Sequence, residues 1–454
     1  MCWLAQGALA WALTPPERDI IIAALRGGDE IGEAPSSALT DEELWRALQV
    51  HAVTELGQRI RPSAIDPTWA TDPPRRDVPH EMDEARAQGR IAAWISALPV
   101  QAPPYRALLL ARARYQAILQ HGGWPPIAQG PALRVGDTGP GVAAIRVRLA
   151  SEGYLAESDP NAPFDRRLAM AVSEFQRRHD LVADGVPGEA TRRALNVPVD
   201  ARLSQIEANL ERWRWVRDLP AERLEVDIAA AEATLYRDGV ARLSMRVIVG
   251  DPKHQTPLFA SRISSVVFNP PWNVPASIAE KELLPKEVAH PGYLAANGFS
   301  RIDGSLRQAP GPKNALGQLK FDFPSPFGVY LHDTPARGLF AAPVRDLSHG
   351  CVRLEKPRDL AEALLSRQGW TGALLGAAID TGETKAIRLA GPTFLVTVYR
   401  TVAADPDGMA TFHRDPYGWD AKLTKALSAQ VALSMALGRP ETECGAPKPP
   451  QPPL

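Results

Sequence analysis

An interior cysteine preceded by two histidines is the part of the sequence that could do covalent chemistry. Ser348, His349, Gly350 and Cys351 are consecutive, and His332 lies 19 positions before the cysteine. A thiol reacts as the thiolate, so a nucleophilic cysteine needs a neighbouring base or cation. Gly350 has no side chain, which lets a substrate approach closely and lets the N–H groups of residues 350 and 351 turn toward a developing oxyanion. These residue types predict nucleophilic catalysis by Cys351.

Two interpretations without covalent catalysis compete for this cluster. A lone interior cysteine is usually a small buried apolar residue, and a structural Cys–His pair is the simplest alternative. A zinc site is the other, but zinc normally takes three or four protein ligands at characteristic spacings. One His-x-Cys and one distant histidine fit that requirement poorly. The full Ser-His-Gly-Cys set with His332 favours a nucleophile, and we expect no metal and no organic cofactor.

The composition is that of an ordinary globular protein. The 454 residues include 51 Lys and Arg against 52 Asp and Glu, and 45% are apolar. A nucleic-acid partner would require a basic excess or stripe, and none is present. No run reaches the ~18 apolar residues of a membrane span, so no span is expected. Cys2, Cys351 and Cys444 form neither a disulfide framework nor a Cys-x-x-Cys zinc site.

The two ends of the chain are set apart by their composition. Residues 1–14 contain the apolar stretch from Trp3 to Leu13 but no positively charged start, so a truncated export signal and a buried helix both fit. The tail 445–454, rich in proline and lysine, is predicted to be disordered. Whether Cys2 pairs with Cys444 stays open.

The first half of the chain is predicted to be helical. Residues 1–130 form a helical scaffold domain, with helices starting after Thr40 and spanning Tyr105 to Leu119. Residues 133–196 form a compact module of three helices. Asp200 is expected to cap a linker helix over 200–218.

From Arg223 the apolar residues recur with a period of two, which predicts a mainly β domain over 223–425. Asp238-Gly239 between two such runs indicates a hairpin. An insert over about 275–310 interrupts the strands and looks helical, because Ser277 and Glu280 have the spacing of a capping box. The fold class is therefore α+β, with several domains.

The module at 133–196 resembles a peptidoglycan-binding-like domain. The residues that carry the resemblance are Gly136, Asp137, Gly139 and Val142; Gly153, Tyr154 and Leu155; Ala171, Val172, Phe175 and Gln176; and Asp184, Gly185, Gly188 and Thr191. Most of them are core and turn residues, which fix a fold and do not fix a ligand. A plain helical spacer is the alternative.

The histidine followed by Ser-His-Gly-Cys resembles the YkuD-type L,D-transpeptidase catalytic domain. Further resemblance extends from about 223 to 420 and includes four motifs: Val249-Gly250-x-Pro252-x-His254-x-Thr256-Pro257, Phe268-Asn-Pro-Pro-Trp272-x-Val-Pro275, Pro291-Gly-Tyr293-Leu and Gly311-Pro-Lys-Asn314-Ala-Leu-Gly317. With the module and the N-terminal helices, the whole chain is similar to the large murein L,D-transpeptidases. Those enzymes carry a helical scaffold, a peptidoglycan-binding-like domain and a capping insert.

The resemblance implies a role for each site residue. Cys351 is the nucleophile, His332 its base, and His349 a supporting or oxyanion-side residue that could also serve as the base. The N–H groups of Gly350 and Cys351 form the oxyanion hole. Asp333, Ser348 or a backbone carbonyl orients His332. Arg353 stands where many family members have Asn, and a guanidinium can clamp a substrate carboxylate or make a structural ion pair. The expected substrate-binding set is Arg353, Ser348, Trp272 and Tyr293, with plain packing of the insert as the alternative for the two aromatic residues.

The resemblance also implies a reaction. A tetrapeptide stem ending in diaminopimelate–D-alanine donates its acyl group to Cys351, D-alanine leaves, and the diaminopimelate amine of a second stem resolves the thioester as a 3→3 cross-link. It places the enzyme in the periplasm and makes its thiol a target of carbapenems. Two alternatives stay open: an L,D-carboxypeptidase on the same site, and a non-catalytic wall-binding protein.

Overall fold

The computed structural model describes residues 12–27, 39–156, 159 and 161–437, and it confirms an α+β fold built of several parts. The apolar stretch of residues 1–11, the tail 445–454, Cys2 and Cys444 lie outside the described residues. Among the helices that are described, none is both long and apolar enough to cross a membrane.

The N-terminal part is helical, as predicted. A core of Leu, Ile, Trp and Met side chains holds its first helices together, and the capping box of Thr40 and Glu43 starts the second of them. The helices are α1 (Pro15–Gly27), α2 (Asp41–Glu55), α3 (Pro62–Ile65), α4 (Val78–Ala87), α5 (Ile91–Ala97) and α6 (Pro103–Gln120).

Three helices then form the predicted compact module around its own apolar core, in which Phe164 and Phe175 are fully buried. They are α7 (Pro140–Ser151), α8 (Arg166–Arg177) and α9 (Glu189–Leu195). Asp165 caps α8 by accepting the N–H of Leu168.

The linker helix α10 (Val199–Trp215) begins earlier than the sequence suggested. Pro198 occupies the N-cap position with φ −60°, and Asp200 lies inside the first turn. The prediction that Asp200 caps the helix was wrong. Proline supplies the required φ here, and Asp200 adds negative charge near the positive end of the helix.

The rest of the chain is built around one sheet that closes on itself. Its strands follow the order β1-β5-β13-β2-β3-β4-β12-β10-β9, β9 pairs back with β5, and β11 joins β4. The strands are β1 (Trp69–Ala70), β2 (Arg223–Asp227), β3 (Glu232–Arg237), β4 (Val240–Gly250), β5 (Leu258–Phe268), β9 (Leu319–Asp322), β10 (Leu331–His332), β11 (Asp346–Ser348), β12 (Val352–Leu354) and β13 (Lys385–Val398).

The Asp238-Gly239 pair makes the predicted hairpin between β3 and β4. Both residues have positive φ, 53° and 74°, as the two central positions of a type I′ turn require. Side chains that alternate along β2 to β4, including Leu224, Val226 and Val247, point into the apolar core of the closed sheet.

Three helices among the described residues accompany the sheet after the insert. Two of them, α14 (Pro357–Leu365) and α15 (Gly372–Asp380), contribute Leu360, Leu365, Leu375 and Ile379 to the core of the sheet. The last, α16 (Trp419–Leu437), packs against α10 and α3. Short 3-10 turns occupy Arg337–Ala341 and Ser366–Gln368.

The insert differs from the helical prediction because half of it is a small antiparallel sheet. Its strands are β6 (Trp272–Asn273), β7 (Phe299–Ile302) and β8 (Ser305–Gln308), in the order β6-β8-β7. Its helical segments are α11 (Ala276–Ile278), a π-helical turn (Ala279–Leu283), α12 (Leu284–Ala289) and α13 (Tyr293–Ala296). The expected capping box at Ser277 and Glu280 is not formed, because Pro275 is the N-cap and makes no side-chain cap.

A hairpin of β14 (Val402–Ala404) and β15 (Ala410–Phe412) joins the module to the closed sheet. Phe412 stacks on His179 at 5.4 Å between ring centroids, and the Arg202 guanidinium lies 4.3 Å from the centroid of the Phe412 ring. Arg178, the residue that follows α8, pairs with Asp405 at 2.9 Å. The module therefore has a fixed position relative to the sheet.

Candidate active site

The register of two parallel strands brings the predicted nucleophile and base to one face of the sheet. Leu331 of β10 pairs with Val352 of β12, and both point into the core. Their neighbours therefore point to the outer face. With strands 4.8 Å apart and a rise of 3.3 Å per residue, the Cα atoms of Cys351 and His332 are about 8 Å apart.

Tyr330 completes the contact between the two strands. Its backbone N–H and its hydroxyl lie close enough to the sulfur of Cys351 to lower the pKa of that thiol, and its ring centroid lies 5.6 Å from that of His332. The Trp272 side chain lies close to the same hydroxyl and lowers its pKa, although burial raises that pKa overall. A chain of contacts thus runs from the insert through Tyr330 to the half-buried thiol.

His332 is buried, with 5% of its surface exposed, and a backbone carbonyl orients it. Its Nδ1 lies 2.5 Å from the carbonyl oxygen of Asp333. A carbonyl can only accept, so Nδ1 carries the proton and Nε2 of the neutral ring keeps its lone pair. The Asp333 side chain accepts instead from Arg337 and the backbone N–H of Gln318.

Both reacting groups are neutral in the free protein. Burial, with a smaller effect of the Arg353 charge, lowers the pKa of His332 to about 3. Burial also raises the pKa of the Cys351 thiol, although the N–H and hydroxyl of Tyr330 and the charges of Arg353 and Lys320 act in the opposite direction. The sheet face thus carries a neutral thiol and a neutral imidazole, and not a preformed ion pair.

Two cations lie beside the thiol on the same face. Arg353 and Lys320 occupy the strand positions that flank His332. Lys320 lies over the Tyr330 ring at 4.9 Å and pairs with Asp322 at 2.7 Å. Among the described residues Arg353 has no carboxylate partner, which disfavours the structural ion pair that the sequence left open. Burial lowers the pKa of the Arg353 guanidinium.

The loop that precedes Cys351 is held by the hydroxyl of Ser348. This hydroxyl donates to the carbonyl of Cys351 at 2.6 Å and accepts the N–H of Gly350 at 3.1 Å. Ser348 is 1% exposed, so its hydroxyl serves the loop in this structure. The expected roles of Ser348 toward a substrate and of the Gly350 N–H toward an oxyanion stay predictions.

Gly350 is required by its backbone conformation, because its φ of 101° is strongly unfavourable for residues with a side chain. Its carbonyl accepts from the hydroxyl of Thr256 at 2.9 Å, and the same hydroxyl accepts the N–H of Gly250. Tyr417 donates to the carbonyl of Gly250 at 2.6 Å. The residues around Thr256 therefore hold the loop that carries Cys351 through hydrogen bonds.

His349 faces the insert. Its Nε2 lies 2.6 Å from a carboxylate oxygen of Glu282, and its ring lies 4.6 Å from that of His254. His254 in turn contacts both carboxylate oxygens of Asp251 at 3.1 Å. The contact with Glu282 places Nε2 of His349 against the insert.

The two aromatic residues predicted for the insert have different environments. Trp272 touches Tyr330. Tyr293 packs with the insert's own apolar cluster, and the Lys286 amine lies 5.8 Å from its ring. Among the described residues the contacts of Tyr293 lie within the insert, which favours packing over substrate binding.

Sequence reasoning missed Tyr330, Glu282 and Lys320. Tyr330 could have been found, because it stands two residues before His332 and side chains at this spacing share a strand face. Lys320 and Glu282 belong to segments 12 and 50 residues before His332, and nothing in the local pattern links them to it.

Comparison with protein families agrees with this geometry. Residues 221–384 match the YkuD family, described as "L,D-transpeptidase catalytic domain". Residues 138–195 match a family described as "Putative peptidoglycan binding domain".

Individual relatives are similar over part of the chain. A Haemophilus influenzae protein named "Putative L,D-transpeptidase" is 36% identical over 245 residues, which are 49% of this chain and 49% of that protein. The chain therefore spans about half the length of this curated relative. Solved structures include L,D-transpeptidase 3 from Mycobacterium tuberculosis (15% identity, TM-score 0.21, 39% of this chain and 61% of that one). Another is an L,D-transpeptidase from Stackebrandtia nassauensis (16% identity, TM-score 0.22, 52% and 91%).

The region from 221 to 384, which carries the Cys351 thiol, matches the L,D-transpeptidase catalytic domain of the YkuD family. The chain combines this domain with a peptidoglycan-binding domain at 138–195. The resemblance seen in the sequence is confirmed for both domains.

Proposed function

We propose that the protein is a cysteine-dependent L,D-transpeptidase that forms 3→3 cross-links between peptidoglycan stems. The observation that carries the proposal is the placement of four groups on one sheet face: the Cys351 thiol, the His332 ring, the Tyr330 hydroxyl and the unpaired Arg353 guanidinium. A non-catalytic wall-binding protein would have no use for a thiol in this setting.

Acylation begins with the transfer of the thiol proton to Nε2 of His332. The sulfur attacks the diaminopimelate carbonyl of a tetrapeptide donor and forms a tetrahedral oxyanion. Because the Gly350 N–H is bound to Ser348, the N–H of Cys351 is the loop donor best placed for this oxyanion. Collapse breaks the C–N bond, His332 returns the proton to the leaving amine, and D-alanine departs from the thioester.

In deacylation His332 again acts first as base and then as acid. The side-chain amine of a second stem attacks the thioester, its proton passes to Nε2 of His332, and the C–S bond breaks. The proton then returns to the sulfur, so thiol and imidazole are both restored and the new amide is the cross-link. His332 can do this repeatedly because the Asp333 carbonyl keeps its other nitrogen protonated.

Arg353 gives the site a way to prefer an acidic donor. Its charge lowers the pKa of His332, so the base is weak while the site is empty. A substrate carboxylate bound to the guanidinium would offset that charge and strengthen the base when the donor is present. The terminal carboxylate of the stem has the right chemistry for this contact.

The rest of the chain supports the same assignment. We propose that residues 1–130 act as a scaffold, that the module at 133–196 binds the wall, and that the insert at about 275–310 caps the site. Peptidoglycan lies outside the inner membrane, so the proposed location is the periplasm. The thiol is then also expected to react with carbapenems.

The test is an assay with purified protein and disaccharide-tetrapeptide substrates. We expect a cross-linked dimer and free D-alanine from the unmodified protein, and neither from Cys351→Ala with an unchanged circular dichroism spectrum. Release of D-alanine without dimer, in the presence of an amine acceptor, would indicate an L,D-carboxypeptidase. Cross-linking by Cys351→Ala would contradict the proposal.

A further inference from the structure

The insert is a separate small body that meets the catalytic centre at two points. Its apolar cluster, which includes Val274, Ala279, Leu283 and Leu306, is distinct from the core of the closed sheet. One contact with the catalytic residues is the indole of Trp272 on Tyr330. The other is Glu282 on His349. A body with its own core and few polar attachments can move as a unit.

The insert is anchored to the sheet where it begins. Asn269 follows β5 with φ 46°, which is a left-handed conformation for a residue with a side chain. Its amide donates to the carbonyl of Ile379 at 2.9 Å, and its own carbonyl accepts from Thr384 at 2.7 Å. The start of the insert is thus fixed, while its far side depends on the contact with His349.

The Glu282–His349 contact joins the insert to the loop that carries Cys351. Glu282 lies in the π-helical turn Ala279–Leu283, which interrupts the regular helix and changes the direction of its side chains. His349 lies next to Gly350 and two residues before Cys351, in the loop that Ser348 organises. A close contact of 2.6 Å between Nε2 of His349 and a carboxylate oxygen of Glu282 therefore connects the insert to the loop that carries Cys351.

We propose that Glu282 is a positioning residue that holds the insert closed over Cys351. It acts through His349: the carboxylate fixes the imidazole, and the imidazole fixes the loop that carries the thiol. With the contact formed, the thiol is shielded from general reagents and aligned for a bound donor. Without it, the insert opens and the thiol becomes accessible but poorly aligned. This inference rests on the proposed function for the donor reaction only.

Opening of the insert should speed the alkylation of the thiol and slow its acylation by the donor. These opposite changes provide the test. In Glu282→Ala we expect Cys351 to react faster with iodoacetamide, by about tenfold, and the donor to acylate it more slowly, with kcat/KM reduced by about tenfold. Glu282→Gln retains a hydrogen-bond acceptor and should recover part of both rates. A variant that is merely less stable would not lose donor acylation while gaining alkylation and keeping its melting temperature.

Glu280→Ala is the matched control, because Glu280 lies in the same π-helical turn and is exposed. We expect it to leave both rates unchanged. The double variant Glu282→Ala/His349→Ala should alkylate no faster than the faster of its two single variants, since both remove one contact.

Two results would overturn the inference. One is an alkylation rate in Glu282→Ala equal to that of Glu280→Ala. The other is an additive effect in the double variant. Failure of the proposed transpeptidation would look different, because donor acylation would then be absent from the unmodified protein while the alkylation comparison would still report on the contact.

Discussion

The Tyr330 hydroxyl and backbone N–H lie beside the Cys351 sulfur across two neighbouring strands. Burial raises the pKa of the Cys351 thiol, and these two groups of Tyr330 act most strongly in the opposite direction. Because Trp272 lies close to the same hydroxyl, the position of the insert can influence the thiol through one side chain.

Tyr330→Phe removes a hydroxyl that lowers the pKa of the Cys351 thiol. A hydrogen bond to a charged group contributes roughly 1.5–3 kcal/mol, so the pKa of Cys351 should rise further and alkylation near neutral pH should slow by about tenfold or more. The measurement is the iodoacetamide rate as a function of pH. Tyr293→Phe is the control, because that hydroxyl belongs to the insert, and its profile should match the unmodified protein. Equal profiles for both variants would exclude a role for Tyr330.

Arg353→Gln removes the charge that lowers the pKa of both Cys351 and His332. The alkylation profile should therefore move to higher pH. If the guanidinium binds the donor carboxylate, kcat/KM for the tetrapeptide should fall by about 10–100-fold. A donor with a carboxamide terminus supplies the control: it should be poor for the unmodified protein and no worse for the variant. If Arg353→Gln lowered kcat/KM by the same factor with the carboxamide donor, Arg353 would not act through the donor carboxylate.

His332 makes stability depend on pH. Its pKa is about 3 in the folded protein, below the ordinary value of 6.5. The stabilisation from the neutral buried ring is present above pH 6.5 and is lost as pH falls toward 3. Between pH 7.5 and 5.5 this linkage amounts to about 1.4 kcal/mol. Urea unfolding should show that the unmodified protein loses about this much more than His332→Gln. Parallel losses in both proteins would mean that the ring is not held neutral.

His413 and Asp180 join the sheet to the module at 3.1 Å. Burial lowers the pKa of His413, but the Asp180 carboxylate outweighs it and the net pKa is raised. The ion pair therefore contributes its full stabilisation of the folded protein below pH 6.5. This contribution disappears as the pH rises through the pKa of His413 in the folded protein. Asp180→Asn should lower the melting temperature more at pH 6 than at pH 9. A difference that is equal at both values would mean that the contact is not ionic.

The sequence was sufficient for features encoded locally. The hairpin at Asp238-Gly239 follows from two residues that tolerate positive φ. The Ser-His-Gly-Cys motif is equally local, because Ser348 must lie two and three residues before Gly350 and Cys351 for its hydroxyl to bind the backbone of both.

Other features depend on contacts between distant segments, and these could not be predicted. The ion pair of Glu282 and His349 joins residues 67 positions apart. The strands of the insert are two to four residues long and show no alternating pattern long enough to detect. The caps expected at Asp200 and Ser277 were wrong because prolines just before them, Pro198 and Pro275, start the helices instead.

The most direct test of the central claim is the intact mass of the protein after brief incubation with a tetrapeptide donor and no acceptor. We expect the mass to increase by that of the donor acyl group, which is the donor minus D-alanine, and peptide mapping to place the whole increase on Cys351. The Cys351→Ala variant should show none. Release of D-alanine by a protein whose residue 351 stays unmodified, or an adduct mapped to another residue, would contradict covalent catalysis by this thiol.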